Sequence, residues 1–60
     1  MIQYGIKHIS EGYLVNTQDG RPEYRTKDYK HIQWLGTHKE AVAKLNELGY
    51  RFHNIVAVVS

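Results

Sequence analysis

THKEAVAKLNELG, residues Thr37 to Gly49, is the stretch on which the fold turns. Thr37 stands three residues before Glu40, the spacing of a capping box, in which the threonine hydroxyl and the glutamate carboxylate satisfy orphan amides of a first helical turn. From there Ala41, Val42, Leu45 and Leu48 recur at spacings of three and four, which predicts a helix from about Thr37 to Leu48 with those residues as its buried stripe. Lys39, Glu40, Lys44 and Glu47 fall on the solvated side, with Glu40 and Lys44 in the favourable i,i+4 order. Gly49 ends the helix, because glycine has no Cβ to clash in the left-handed conformation of a C′ residue. A helix with one apolar stripe must lie on something, and the flanking segments say what.

Upstream, Ile2, Tyr4 and Ile6 alternate with Gln3, Gly5 and Lys7, a period of two that reads as a half-buried strand. Ser10, Glu11 and Gly12 supply a turn, and Tyr13 to Thr17 have the β-branched and aromatic content of a second strand, so the two form an antiparallel hairpin. Asp19-Gly20 is the pair favoured in type I′ turns, and Pro22 belongs at an edge or a strand start because it cannot donate to a ladder. A third, edge strand follows at about Glu23 to Thr26 and continues irregularly to Trp34. Downstream, Tyr50 to Phe52 lead into a last strand that is apolar without interruption from Ile55 to Val59, a pattern of burial on both faces. One helix covers one face; the curled hairpin, a second copy of the chain or another protein would cover the other.

The expectation is a single α+β domain over residues 1–60, with a three- to four-stranded antiparallel sheet and one amphipathic helix packed on one face, in the order β-β-β-α-β. Its core is expected to contain Ile2, Tyr4, Ile6, Leu14, Val42, Leu45, Leu48, Phe52, Val56 and Val58. A chain of 60 residues buries roughly 60% of the surface it exposes when unfolded, so stability is marginal and a partner would help. There is no cysteine, hence no disulfide and no thiolate metal site. The opening residues read neither as a signal peptide nor as a membrane span, and a cytoplasmic protein without membrane contact is the default. Eight Lys and Arg against six Asp and Glu is a mild balance, which argues against an acidic DNA mimic and falls short of a dedicated nucleic-acid binder.

The hairpin around Glu11-Gly12, TKDYKHIQW, THKEA and LGYRFHNIVAVV together resemble small ββ(β)αβ accessory proteins encoded by bacteriophages and prophages. The resemblance covers nearly the whole chain and consists of capping chemistry and hydrophobic pattern. It implies a class of role, binding and modulating a host protein, and carries over no functional residue.

The chemistry-bearing stretch is 21–34, RPEYRTKDYKHIQW. Arg21, Arg25, Lys27 and Lys30 interleave there with Tyr24, Tyr29 and Trp34. These are the residue types of a protein-binding hot spot, and also those that neutralise phosphates and stack on bases. A plainer reading is that the rings finish a small core while the charges keep an edge strand from pairing. His8, His31, His38 and His53 show no metal-ligand spacing and read as surface or hydrogen-bonded imidazoles, with His38 neutral at the positive end of the helix dipole. Ser10 is a turn residue, and Glu40 and Glu47 sit on the solvated helix face. No nucleophile, acid–base pair or phosphate loop is placed, which points to a non-enzyme without cofactor. The partner is then another protein, or a second copy as a homodimer, with nucleic acid as the alternative.

Overall fold

A computed structural model describes residues 1–59. The sheet has four antiparallel strands in the order β3-β2-β1-β4. Strand β1 (Ile2–His8) is paired along its whole length with β4 (His53–Val59), from Ile2 opposite Val59 to His8 opposite His53. On its other side β1 meets β2 (Gly12–Leu14) only at Lys7 and His8, and β2 carries β3 (Tyr24–Arg25) on its outer edge.

The β1–β2 turn is built on two residues. The His8 imidazole accepts at Nδ1 from the amides of Ser10 and Glu11, both at 3.1 Å, satisfying loop donors that have no ladder partner. Gly12 has φ of 100°, and a Cβ there would lie 2.5 Å from the carbonyl oxygen of Arg25. Only glycine fits that combination of dihedral and close approach. After Leu14 the strands diverge, and residues 31–35 fill the gap. A 3₁₀ turn at Tyr29–His31 delivers Ile32 opposite Val15 and Leu35 opposite Tyr4, the latter pair closed by amide-to-carbonyl bonds of 2.9 and 2.7 Å.

Helix α1 (His38–Leu48) follows at once. Thr37 is its N-cap, its hydroxyl accepting from the Glu40 amide at 3.2 Å. The Glu40 carboxylate reaches one residue beyond the capping box and accepts from Gly36 at 3.3 Å. The expected Glu40–Lys44 pair therefore does not form, and Lys44 bridges to Glu47 at 3.4 Å instead. Gly49 closes the helix at φ of 106°, its amide donating to Leu45.

The edge-to-face contact of Tyr4 with His38, centroids 5.6 Å apart, fixes which sheet face the helix covers. Residues opposite each other in a ladder share a face, so Tyr4, Ile6, His8, His53, Ile55 and Leu14 lie on the helix side, where Ile6 and Ala41 are fully buried. The other face has a smaller core of its own. Gly5 leaves room there for the Trp34 ring: a methyl group on it would stand 3.3 Å from that ring and 3.4 Å from Ile32 Cγ2. Val15 and Ile32 are buried beside it. Burial on both faces of β4 is thus partial: Ile55 and Val56 are half-buried, and the distal residues are exposed.

Several sequence expectations change for identifiable reasons. Ile2, Val42, Phe52 and Val58 are exposed and not core: Ile2 ends the β1–β4 ladder, Phe52 lies in the turn before β4, Val58 is near the free end of the edge strand, and α1 turns Ala41, Leu45 and Leu48, not Val42, to the sheet. The second strand ends at Leu14, since Val15 pairs with Ile32 and not with β1. The third holds two residues. Asp19-Gly20 does not form a type I′ turn, which needs positive φ at both positions; only Gly20 has it, at 77°, and Asp19 Oδ1 accepts from the Arg21 amide at 3.0 Å.

In denaturant melts, Ile6→Ala is expected to cost about 2–5 kcal/mol, whereas Val42→Ala should cost less, about 1 kcal/mol, because Val42 is only partly buried where Ile6 is wholly so. Gly12→Ala should cost at least as much as a core truncation, about 2 kcal/mol or more, since neither φ nor the Arg25 carbonyl can accommodate a methyl group.

Candidate interaction surface

The face turned away from α1 concentrates the rings and cations. Lys7 stands opposite Tyr13 and Tyr13 opposite Arg25, so the three side chains cross β1, β2 and β3 side by side on one face. Lys7 Nζ lies 5.3 Å from the centroid of the Tyr13 ring, within cation–π range. Tyr29, largely exposed, meets the same ring edge-on at 5.7 Å. Lys7, Tyr13, Thr26 and Tyr29 border a shallow hollow of about 300 Å³ beside the β1–β2 loop. Trp34, seated over Gly5, continues the row along β1, because Gly5 and Lys7 are successive residues on this face.

The residues of 21–34 do not all gather here. Tyr29, Trp34 and Arg25 do, with Arg25 tied to Glu23 at 3.3 Å and both side chains half exposed. Lys27 precedes the 3₁₀ turn and Lys30 lies within it, both exposed and without an acidic partner among the described residues. Arg21 belongs to the loop 16–23, where its amide is held by Asp19 and its carbonyl accepts from Thr17 Oγ1 at 3.0 Å. Tyr24 stands on the opposite face: paired with Leu14 and directed under the helix side, it is the one ring of the segment that enters a hydrogen-bonded core. Lys7 and Tyr13, absent from the sequence expectation, complete the surface. Strand parity and the hairpin register could have revealed them.

On the helix side His8, Tyr24 and the buried His53 cluster, with the exposed Phe52 ring against His8. His53 is buried, with Nδ1 2.7 Å from the Gly49 carbonyl and Nε2 2.6 Å from the Tyr24 hydroxyl. The carbonyl can only accept, so Nδ1 carries a proton, and in the neutral imidazole Nε2 accepts from the Tyr24 hydroxyl. His8 packs edge-on against His53 at 4.9 Å and stacks with Phe52 at 6.4 Å. Two histidines far apart in sequence are thus paired, yet no group of three or more metal-ligating side chains exists among the described residues. The Ser10 hydroxyl lies 3.3 Å from His8 Nδ1, but that lone pair already serves two backbone amides. The contact is a turn cap, poorly placed to activate a nucleophile.

No family model, curated protein or solved structure matches this chain. Among the described residues, no helix is long and apolar enough to cross a membrane.

Desolvation by burial raises the Tyr24 phenol above its ordinary value of 10.0. Above pH 10 the unfolded chain sheds a proton that the folded chain keeps, so stability must fall as pH rises towards the folded value, and is unaffected by this group below pH 10. Phenolate formation also removes the donor that His53 Nε2 requires. Tyr24→Phe is expected to lower stability near neutral pH by about 1–3 kcal/mol, by leaving that nitrogen without its donor, and to flatten the alkaline slope in urea melts.

Proposed function

We propose that this chain is a small protein-interaction module that binds and modulates a larger protein through the sheet face opposite the helix. One observation carries the reading: Lys7, Tyr13 and Arg25 cross three strands in a row on that face, extended by Tyr29 and Trp34. Tyrosine, tryptophan and arginine are the residues that dominate protein-binding hot spots, since large rings bury much area for few rotatable bonds. Here Tyr13 and Arg25 sit on strands and Trp34 is packed over Gly5, so less side-chain freedom remains to be lost on binding. The β-rich, capped-helix pattern shared with phage accessory proteins is in keeping with a host protein as the partner.

A second reading has its own support. Arg21, Lys27 and Lys30 are exposed, and their cationic groups have no acidic partner among the described residues, so a nucleic-acid backbone could use them. Against it, Glu23 engages Arg25, and the net charge of the chain is only +2. The protein reading is the stronger.

Partner capture on the immobilised chain, compared with a folded Arg25→Glu/Tyr29→Ala variant, tests the first reading: at least a tenfold loss is expected, and undiminished capture removes this surface from consideration. Titration of a short mixed-sequence oligonucleotide across a salt series tests the second. Binding that collapses steeply with salt and requires Lys27 and Lys30 would replace the protein reading.

A further inference from the structure

The two edges of the sheet are built differently. The β3 edge is two residues long, with Pro22 and Glu23 before it, Arg25 on it and Lys27 after it, the usual protections against strand addition. The β4 edge runs seven residues in unbroken one-to-one register, with no bulge and no proline, and from Asn54 to Val59 it carries no charged side chain.

Its free hydrogen-bonding groups can be assigned. Successive residues of an antiparallel strand turn their amide and carbonyl alternately to one neighbour and the other. Tyr4 spends both groups on Leu35, and Ile9 donates to Phe52 at 2.9 Å. Within the β1–β4 ladder the bonded pairs are therefore Gln3 with Val58, Gly5 with Val56 and Lys7 with Asn54. His53, Ile55, Ala57 and Val59 point their backbone groups away from β1, into open space.

We propose that a second copy of this chain occupies this edge, its β4 antiparallel to the first about a two-fold axis at Val56. The parity selects the axis. A bonded pair needs one outward residue opposite another, and an axis at Val56 sets Ile55 against Ala57 and His53 against Val59 in both directions, using all four. Val56 then faces its own counterpart, and no charge meets a like charge along Asn54 to Val59.

The helix supports the same occupant. Because α1 packs over both β1 and β4 and strands are about 4.8 Å apart, this axis brings the two helices to about 10 Å, normal packing distance. Around the helix, at about 100° per residue, Lys44, Glu47 and Leu48 turn to the β2 side, where they border Leu14 and Asn16. Val42 is consequently on the side of the free β4 edge. It is 37% exposed in the single chain, the most exposed member of the apolar stripe, and the partner's helix would cover what remains open. The product is one eight-stranded sheet with both open faces on the same side.

Sedimentation equilibrium across a concentration series tests the pairing. A species of twice the 7.0 kDa chain mass is expected. N-methylation of Ala57 in a synthetic chain removes an outward donor and spares the β1 ladder, and Val42→Lys places two charges near the axis; each should weaken the dimer about tenfold or more. The chain has no cysteine of its own, so Val56→Cys reads the register. Opposed across an unbonded pair at about 4.5 Å, its thiols should oxidise to a symmetric disulfide, whereas Ala57→Cys should not. Arg25→Glu/Tyr29→Ala should leave the mass unchanged, so failure of the open-face reading and failure of self-pairing show separately. A folded chain that stays monomeric to millimolar concentration overturns the proposal. So does a dimer indifferent to the Ala57 and Val42 changes, or a strand of another protein found on β4.

Discussion

The fold depends on the ladder between β1 and β4. It joins the two most distant segments of the chain by seven residue pairs, and every other element takes its place from it. On the helix side it sets His8 beside His53, which receives the Tyr24 hydroxyl and so ties β3 back to the far end of the sheet. On the open side it sets Gly5 beside Val56 and leaves the space that the Trp34 ring fills. Closing a loop of this span is entropically costly, and the buried hydrogen bonds of His53 offset part of it only because both ring nitrogens are satisfied.

Gly5 and Trp34 show how so short a chain covers two faces with one helix. A side chain at residue 5 would occupy the surface of β1; its absence lets a ring from the neighbouring segment come close to the backbone, a device that replaces a missing second layer. The same ring is half exposed, so it serves the small core and also belongs to the row of Lys7, Tyr13 and Tyr29. Trp34 is thus shared between the small core and the open face, whereas the Tyr24 hydroxyl is committed to His53 on the helix side.

The helix was legible in the sequence because its signals are local: a cap at Thr37, a glycine at its end and a stripe between them. The α+β class and the first hairpin were legible for the same reason. What escaped was non-local. Nothing near Ile55 says that β4 is an edge strand, so its apolar run read as a doubly covered strand. Val15, Ile32 and His53 were missed as core residues because each is buried by a segment remote in sequence. The 21–34 stretch was correctly seen as rich in rings and cations, but which ring faces which side follows from the β2–β3 register, and Tyr24 and Tyr29 end on different faces.

Ile2 and Val59 stand directly opposite each other at the end of the ladder. Strand termini so placed can be joined by a short turn, and the loop 16–23, exposed along most of its length, offers a place to open the chain instead. In such a circular permutant β4 and β1 would become neighbours along the backbone, and the pairing that now waits on a loop of more than forty residues would nucleate as a hairpin. The order of residues along this chain therefore governs how fast the fold is reached far more than what the fold is.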